Sequence, residues 1–259
     1  MAAVLQVRGI SLAFGGLAVF DDVSLDVVSG ELLALIGPNG AGKTSVLNCI
    51  SGIYAPASGE ILMQGQALSG MAPFQIARAG IARTFQHGEL FDHMSVIENL
   101  LLGRHALIQT RLWQEMLFGA RVRAIESQHR DRVEEIIEFV ELEKLRDQSV
   151  GNLSFAQQKL VGFARALCME PKVLLLDEPS AGLNREGKED LARFIMRIRS
   201  QLKIPMIWVE HDMQMVADLA DRIYALNYGK MIAQGTPAQV LNDPAVIEAY
   251  LGPRGPRGT

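Results

Sequence analysis

The sequence GPNGAGKTS at residues 37–45 fits the pattern GxxxxGK[ST]. It follows the apolar run Leu32–Ile36, which predicts a buried strand, and it precedes VLNCI at residues 46–50, which has helical composition. Glycines let such a loop turn its N–H groups toward a phosphate chain, and the next helix adds its positive dipole end. We therefore predict a phosphate-binding loop, with Lys43 on the β- and γ-phosphates and Thr44 on Mg²⁺. A glycine-rich turn with a surface lysine is the alternative.

The composition limits the class of protein. The chain has 259 residues, and its apolar fraction of 49% is enough for a sizeable core. A net charge of −4 gives no overall basic footprint, so the composition does not suggest non-specific nucleic-acid binding; a local basic patch is the alternative. The N-terminus does not follow the signal-peptide pattern, and no stretch approaches the roughly 18 unbroken apolar residues of a membrane span. Cys49 and Cys168 fit no metal-ligand spacing, so we expect reduced, buried thiols.

Short apolar runs broken by turn residues occupy positions 4–35 and predict an antiparallel β edge. Phe14 lies in this region, where an aromatic ring can stack on an adenine. Packing in the core is the alternative for Phe14, and Phe20 is a competing candidate for the stacking role.

Later runs predict a parallel sheet and an inserted helical segment. Val173–Asp177 is a continuous branched-apolar run, typical of a strand buried on both faces, and residues 206–210 and 223–226 follow the same pattern. Positions 98–102, 111–126 and 131–145 have helical composition. In the last of these, four apolar residues recur at helical spacing and predict one buried face: Val133, Ile136, Ile137 and Val140. The predicted fold class is α/β, a mostly parallel sheet with an antiparallel β edge and a helical insertion.

Acidic and basic side chains follow the buried strands. Asp177 and Glu178 end one strand, at the sheet edge where ligands of open parallel sheets bind, and His211 follows the next. A buried acidic pair is unfavourable unless a cation neutralises it, which favours a role for Asp177 at Mg²⁺ and for Glu178 at a water molecule. Ser154 is placed as a helix N-cap, and its hydroxyl could grip an anion; ordinary capping is the alternative.

These motifs together resemble the ATP-binding subunits of ABC transporters, over nearly the whole chain. The family's order is Walker A, Q-loop glutamine, signature, Walker B, catalytic glutamate, D-loop and switch histidine, and all are present here in that order. The stretches GIARTFQ at 80–86, AGLN at 181–184 and EHDM at 210–213 are similar to the branched-chain amino acid importer type, as is the ending at 235–252.

The resemblance implies a P-loop NTPase fold with ATP and Mg²⁺ as ligands. It implies a RecA-like core with a β subdomain at 1–87 and 165–252, a helical subdomain at 88–164 and a disordered tail at 253–259. The implied catalytic residues are Glu178, His211 and Gln86, and the implied metal ligands are Thr44, Gln86 and Asp177. The implied ATP-binding residues are Phe14, Gly37, Pro38, Asn39, Gly40, Ala41, Gly42, Lys43, Thr44 and Ser45.

The signature departs from the family's LSGGQ, because Phe155 and Ala156 replace its two glycines. Ala156 keeps its N–H for a phosphate contact, but its methyl group crowds the close approach that glycine allows. The resemblance implies that the signature contacts ATP bound by a second subunit in trans, through Ser154, Phe155, Ala156 and Gln157.

The implied partners are a second ATP-binding subunit, identical or different, two membrane permeases and a periplasmic substrate-binding protein, with no nucleic acid. The implied location is peripheral, on the cytoplasmic face of the membrane, and the default cargo is branched-chain or related hydrophobic amino acids. One alternative is a soluble ABC ATPase of translation or DNA repair, although neither a second ATPase half nor a long coiled-coil insertion is visible. A metabolic kinase or GTPase would leave the signature unexplained.

Overall fold

Strand β3 (Leu32–Ile36) lies inside a six-stranded sheet, and every residue of the strand is buried. This computed structural model describes residues 3–84, 90–107 and 120–251. The other strands of this sheet are β6 (Ile81–Thr84), β7 (Val173–Asp177), β8 (Met206–Val209), β9 (Arg222–Asn227) and β10 (Lys230–Gly235). The strand order is β10-β9-β3-β8-β7-β6.

The neighbours of β3 run parallel to it, as predicted. β3 pairs in parallel with β8 and β9, β7 pairs in parallel with β8, and β10 closes one edge antiparallel to β9. All residues of β7 and β8 are buried, which confirms that these continuous apolar runs are strands covered on both faces. The carboxyl ends of β3, β7 and β8 therefore meet at one edge of the sheet.

A second, antiparallel sheet contains β1 (Ala3–Phe14), β2 (Leu17–Val28), β4 (Ser58–Met63) and β5 (Gln66–Ala67) in the order β2-β1-β4-β5. This confirms the predicted antiparallel β edge. Buried and accessible residues alternate along β1 and β2, because one face of the sheet covers the core. That core includes Phe20 from β2 and Leu47 from the helix that follows β3.

The helices outside the inserted segment are α1 (Lys43–Ile50), α2 (Pro73–Ala79), α6 (Arg185–Arg197), α7 (Met213–Leu219), α8 (Pro237–Leu241) and α9 (Pro244–Leu251). A π-helical segment, Ile198–Leu202, continues α6. Pro237 and Pro244 each begin a helix, as the Thr-Pro and Asp-Pro pairs predict.

The inserted segment contains α3 (Val96–Arg104), α4 (Ala120–Phe139) and α5 (Phe155–Cys168), with short 3₁₀ turns at His105–Leu107, Glu143–Leu145 and Val150–Asn152. The predicted buried face is confirmed at Val133 and Ile137 of α4 and at Val140 just beyond its end, while Ile136 is half-buried. The predicted helix at 131–145 is wrong at its end, since α4 stops at Phe139.

The reason for that early stop is local. Glu141 adopts a left-handed backbone with φ of +60°, and Leu142 N donates to the carbonyl of Ile137 at 3.0 Å. This is the hydrogen bond of a Schellman helix end, which reverses the chain. The predicted helical residues 111–119 lie outside the described residues.

The chain divides into two compact units, Met1–Arg83 with Lys172–Thr259, and Thr84–Pro171. The expected boundaries were 87/88 and 164/165; an edge at 164/165 would cut α5, which lies whole in the second unit. The predicted disordered tail at 253–259 lies outside the described residues.

Within the second unit, buried Arg104 of α3 contacts both α4 and the end of α5. Its Nη1 donates to the carbonyl of Cys168 at 3.0 Å, and its Nε contacts His129 Nδ1 at 2.8 Å. Cys49 and Cys168 are free and buried, as predicted, and burial raises their thiol pKa values to about 11 and about 12. Among the described helices, none is long and apolar enough to cross a bilayer.

Candidate active site

The loop between β3 and α1 has the geometry of an anion site. Gly42 is the N-cap of α1, with a left-handed φ of +100° that glycine adopts without strain. The first-turn N–H groups of a helix have no intrahelical partner, and no acidic residue occupies the first turn of α1. Asn39 and Gly40 are exposed at the tip of the loop. Backbone donors and the helix dipole therefore favour a phosphate here.

Lys43 lies inside this loop, and only 5% of its surface is exposed. Its Nζ donates to the carbonyl oxygens of Gly37 at 2.7 Å and Pro38 at 3.0 Å. Burial lowers the pKa of the Lys43 ammonium, and the nearby charges of Glu178 and Asp177 oppose that change. The carbonyl contacts hold the ammonium beside the acidic pair.

Asp177, at the end of β7, faces Thr44 on one side and Arg83 on the other. Thr44 Oγ1 donates to Asp177 Oδ1 at 3.3 Å, and Arg83 Nη2 contacts Asp177 Oδ2 at 2.6 Å. Arg83 also donates to Asn48 Oδ1 of α1 at 2.6 Å. Because Asp177 is only 3% exposed, the guanidinium offsets a charge that would otherwise be unfavourable in the interior.

Glu178, the residue after Asp177, pairs with His211. The distance from His211 Nε2 to Glu178 Oε1 is 2.9 Å, and the two side chains are 37% and 20% exposed. Glu178 has a left-handed backbone with φ of +46°, a conformation that costs a non-glycine residue about 1–3 kcal/mol. A hydrogen bond of 2.9 Å from Glu178 N to the carbonyl of Val209 in β8 holds it there. The backbone strain therefore coincides with the contact between the acid and the imidazole.

Glu210, the last residue before His211, joins the turns after β7 and β8. It is 2% exposed, and its Oε1 accepts the His211 N–H at 2.8 Å. Its Oε2 accepts the Trp208 indole N–H and the Ser180 N–H, each at 3.3 Å. The carboxylate thus fixes the backbone beside both Glu178 and His211.

Sequence reasoning gave no role to Arg83 or Glu210. A signal for Glu210 existed, since it is a carboxylate at the end of a buried strand, directly before the candidate histidine. Arg83 had no comparable signal, because its partner Asp177 is 94 residues away.

The two candidates for adenine stacking at the β edge, Phe14 and Phe20, differ in how far they are buried. Phe14 ends β1 with 51% of its surface exposed, and the ring of Tyr54 meets it edge-on at 5.1 Å. Phe20 is 1% exposed and belongs to the core. Phe14 is therefore the ring of the two that an adenine could reach.

The signature residues lie in the second compact unit and are described within it. Ser154 is the N-cap of α5, as predicted; its Oγ accepts the Gln157 N–H at 3.3 Å, and Gln157 Oε1 accepts the Ser154 N–H at 2.9 Å. Phe155 is 52% exposed, and Ala156 is half-buried. Gln86, predicted as a catalytic residue and metal ligand, lies outside the described residues.

The oxygen donors at Thr44 and Asp177 suit Mg²⁺. Within residues 3–84, 90–107 and 120–251, no group of three His, Cys, Asp or Glu side chains could hold a metal by itself. Mg²⁺ needs no such group, because it commonly binds through one or two protein oxygens, substrate phosphates and water. Asp177 Oδ1 and Thr44 Oγ1 therefore fit the ion.

Comparison with known proteins agrees with this geometry. Residues 20–181 match the ABC transporter family, and residues 230–252 match the family described as branched-chain amino acid ATP-binding cassette transporter. The chain is 41% identical to the high-affinity branched-chain amino acid transport ATP-binding protein LivG of Escherichia coli K12, over 96% of this chain and 98% of LivG. It is 38% identical to BraF of Pseudomonas aeruginosa, a protein of the same description, with the same coverage.

Solved structures give the same result. A nucleotide-free ATP-binding cassette from an ABC transporter superposes with a TM-score of 0.85 at 30% identity, covering 97% of this chain and all of that one. The ADP conformation of MJ1267, another such cassette, gives a TM-score of 0.84 at 28% identity, covering 98% of this chain and all of MJ1267. The relatives support the transport interpretation and not the alternative of a translation or DNA-repair ATPase. The chain therefore belongs to the ATP-binding subunits of ABC transporters, of the branched-chain amino acid type, and it is an ATPase with the P-loop NTPase fold.

Proposed function

We propose that this ATPase drives a membrane importer for branched-chain or related hydrophobic amino acids. The observation that carries the proposal is the meeting, at one sheet edge, of the phosphate loop with Asp177, Glu178 and His211. The similarity to LivG and BraF over 96% of the chain supports the cargo class.

In this proposal the loop at 37–45 binds the phosphates of ATP through its backbone N–H groups and Lys43, and Phe14 stacks on the adenine. Thr44, Asp177 and Gln86 would hold Mg²⁺, and the ion would neutralise negative charge on the bound phosphates. Arg83 keeps Asp177 oriented, with Oδ1 toward Thr44.

Glu178 is the general base of the proposed hydrolysis. Its carboxylate takes a proton from a water molecule as the water oxygen bonds to the γ-phosphorus and the bond from that phosphorus to the ADP oxygen breaks. His211 orients Glu178 through the 2.9 Å contact, and in this proposal its imidazole also contacts the γ-phosphate. Gln86 links the nucleotide to the helical subdomain proposed at 88–164.

A complete site requires a second ATP-binding subunit, identical or different. In the proposed dimer, Ser154, Phe155, Ala156 and Gln157 of one subunit contact ATP held by the phosphate loop of the other. ATP binding closes the dimer, and hydrolysis reopens it. Two permeases receive this motion on the cytoplasmic face of the membrane, where the chain is peripheral, and a periplasmic protein delivers the cargo.

Purification of the tagged chain from its native membranes tests the transport proposal. We expect two permease subunits to co-purify, and we expect the ATPase rate of the complex in lipid vesicles to rise when the leucine-loaded binding protein is added. The unloaded binding protein is the control. Co-purification with ribosomes or DNA instead of permeases would contradict the proposal, and stimulation by another amino acid class would change the cargo.

A further inference from the structure

The amide that opens the phosphate loop is bound by a side chain from the far end of the chain. Gly37 N donates to the Tyr250 hydroxyl at 2.7 Å, a short distance for an N–H···O hydrogen bond. Tyr250 lies in the last turn of α9, 213 positions after Gly37. The loop itself therefore does not provide the partner of its first N–H.

The neighbouring contacts leave Gly37 little room to move. A Cβ atom at Gly37 would lie 2.1 Å from the carbonyl oxygen of Leu226 in β9, so the loop backbone presses directly against that strand. Further along the loop, Gly229 N, in the β9–β10 turn, donates to the carbonyl of Ala41 at 3.1 Å. Strand β9, the β9–β10 turn and helix α9 thus contact the phosphate loop at Gly37 and at Ala41.

The Tyr250 hydroxyl is suited to this role chemically. Burial raises the pKa of the Tyr250 phenol, and the hydrogen bond from Gly37 opposes that rise, so the group stays neutral at physiological pH. A neutral hydroxyl accepts the Gly37 N–H without placing a negative charge beside a site for phosphates. Its position is fixed through α9, where Val246 is 3% exposed and Asp243 Oδ1 accepts the Ala245 N–H at 2.8 Å.

We infer that Tyr250 is a positioning residue for nucleotide binding, which holds Gly37 so that the phosphate loop keeps its binding-ready shape before ATP arrives. The inference rests on the proposed role of the loop at 37–45. It gives a physical function to residues 230–252, the segment that matches the branched-chain amino acid ATP-binding cassette transporter family. Pre-ordering the loop improves affinity because the loop no longer loses conformational freedom when ATP binds.

Tyr250→Phe in the full-length chain tests the inference, because it removes the hydroxyl and keeps the ring. Loss of one hydrogen bond predicts a Kd for MgATP that is about 2- to 10-fold higher. In the assembled complex we expect KM for ATP to rise with kcat unchanged, since neither Glu178 nor His211 contacts Tyr250 in the hydrogen bonds described above. The matched control is Tyr228→Phe, at a ring that is 91% exposed in the β9–β10 turn.

The outcomes distinguish a positioning role of Tyr250 in nucleotide binding from a purely structural role. A Tyr250→Phe protein with wild-type MgATP affinity and a lower Tm without nucleotide would make Tyr250 a purely structural residue and overturn the inference. An equal loss of affinity in Tyr228→Phe would also overturn it. If the wild-type chain itself failed to bind MgATP, the proposed role of the phosphate loop would fail instead, so the two failures are distinguishable.

Discussion

The loop after β3 and the turns after β7 and β8 share one edge of the sheet but offer opposite chemistry. The first presents backbone N–H groups and the ammonium of Lys43, whereas the second presents Asp177, Glu178 and His211. Apart from the Lys43 ammonium, the loop's donors belong to glycine-rich backbone that no side-chain substitution removes. The acids and the imidazole are single side chains with individual partners.

In the proposed mechanism, nucleotide binding is therefore shared among several groups of the loop, whereas hydrolysis depends on few side chains. Phosphate binding draws on several amides and a helix dipole, so one change weakens it only partly. In the proposed mechanism, proton transfer depends on the carboxylate of Glu178, which is held in a strained backbone, so one change can remove most of it. Substitutions in the two regions should therefore separate binding from turnover.

Glu178→Gln has the largest expected effect. It preserves the shape of the side chain and removes the proposed general base, so ATP hydrolysis by the complex should fall about 10²- to 10⁴-fold while MgATP affinity is retained. Measurement of phosphate release and nucleotide Kd on the same preparation separates the two. Glu138→Gln, at an exposed position of α4, is the control. Near-normal turnover would remove Glu178 from the role of base.

Lys43→Ala should weaken nucleotide binding by the phosphate loop. Loss of a charged donor to the phosphates predicts MgATP binding that is about 10- to 100-fold weaker, as measured by calorimetry. Lys230→Ala, at an exposed position of β10, removes the same charge without changing a residue of the loop. Unchanged affinity in Lys43→Ala would count against the phosphate-loop assignment and would leave the glycine-rich turn as the better interpretation.

Ala156→Gly has the smallest expected effect and tests the signature region that we propose completes the site in trans. Removal of the methyl group should ease the close approach of ATP and raise the ATPase rate of the complex about two- to threefold, a gain limited by the helix cost of glycine. Ala238→Gly, at an exposed position of α8, reports that helix cost alone. An unchanged or lower rate would show that Ala156 is neutral or adaptive in this signature.

Local patterns predicted much of this fold. The buried strands β3, β7 and β8, the antiparallel edge and the N-cap at Ser154 each follow from residues close together in sequence. The prediction was wrong where α4 ends, because a left-handed Glu141 terminates the helix and no glycine signals it. Helix ends set by a non-glycine residue in this conformation are hard to recognise from composition.

By itself, the sequence determined which groups this protein offers to a nucleotide: a glycine-rich loop after a buried strand, two carboxylates after another and a histidine after a third. Only the tertiary structure decided which groups meet. Arg83 binds Asp177, Glu178 pairs with His211, and Tyr250 holds Gly37 across 94, 33 and 213 positions respectively. Sequence periodicity reports whether a residue faces the core, but such pairings depend on how parallel strands and distant helices are brought to one sheet edge.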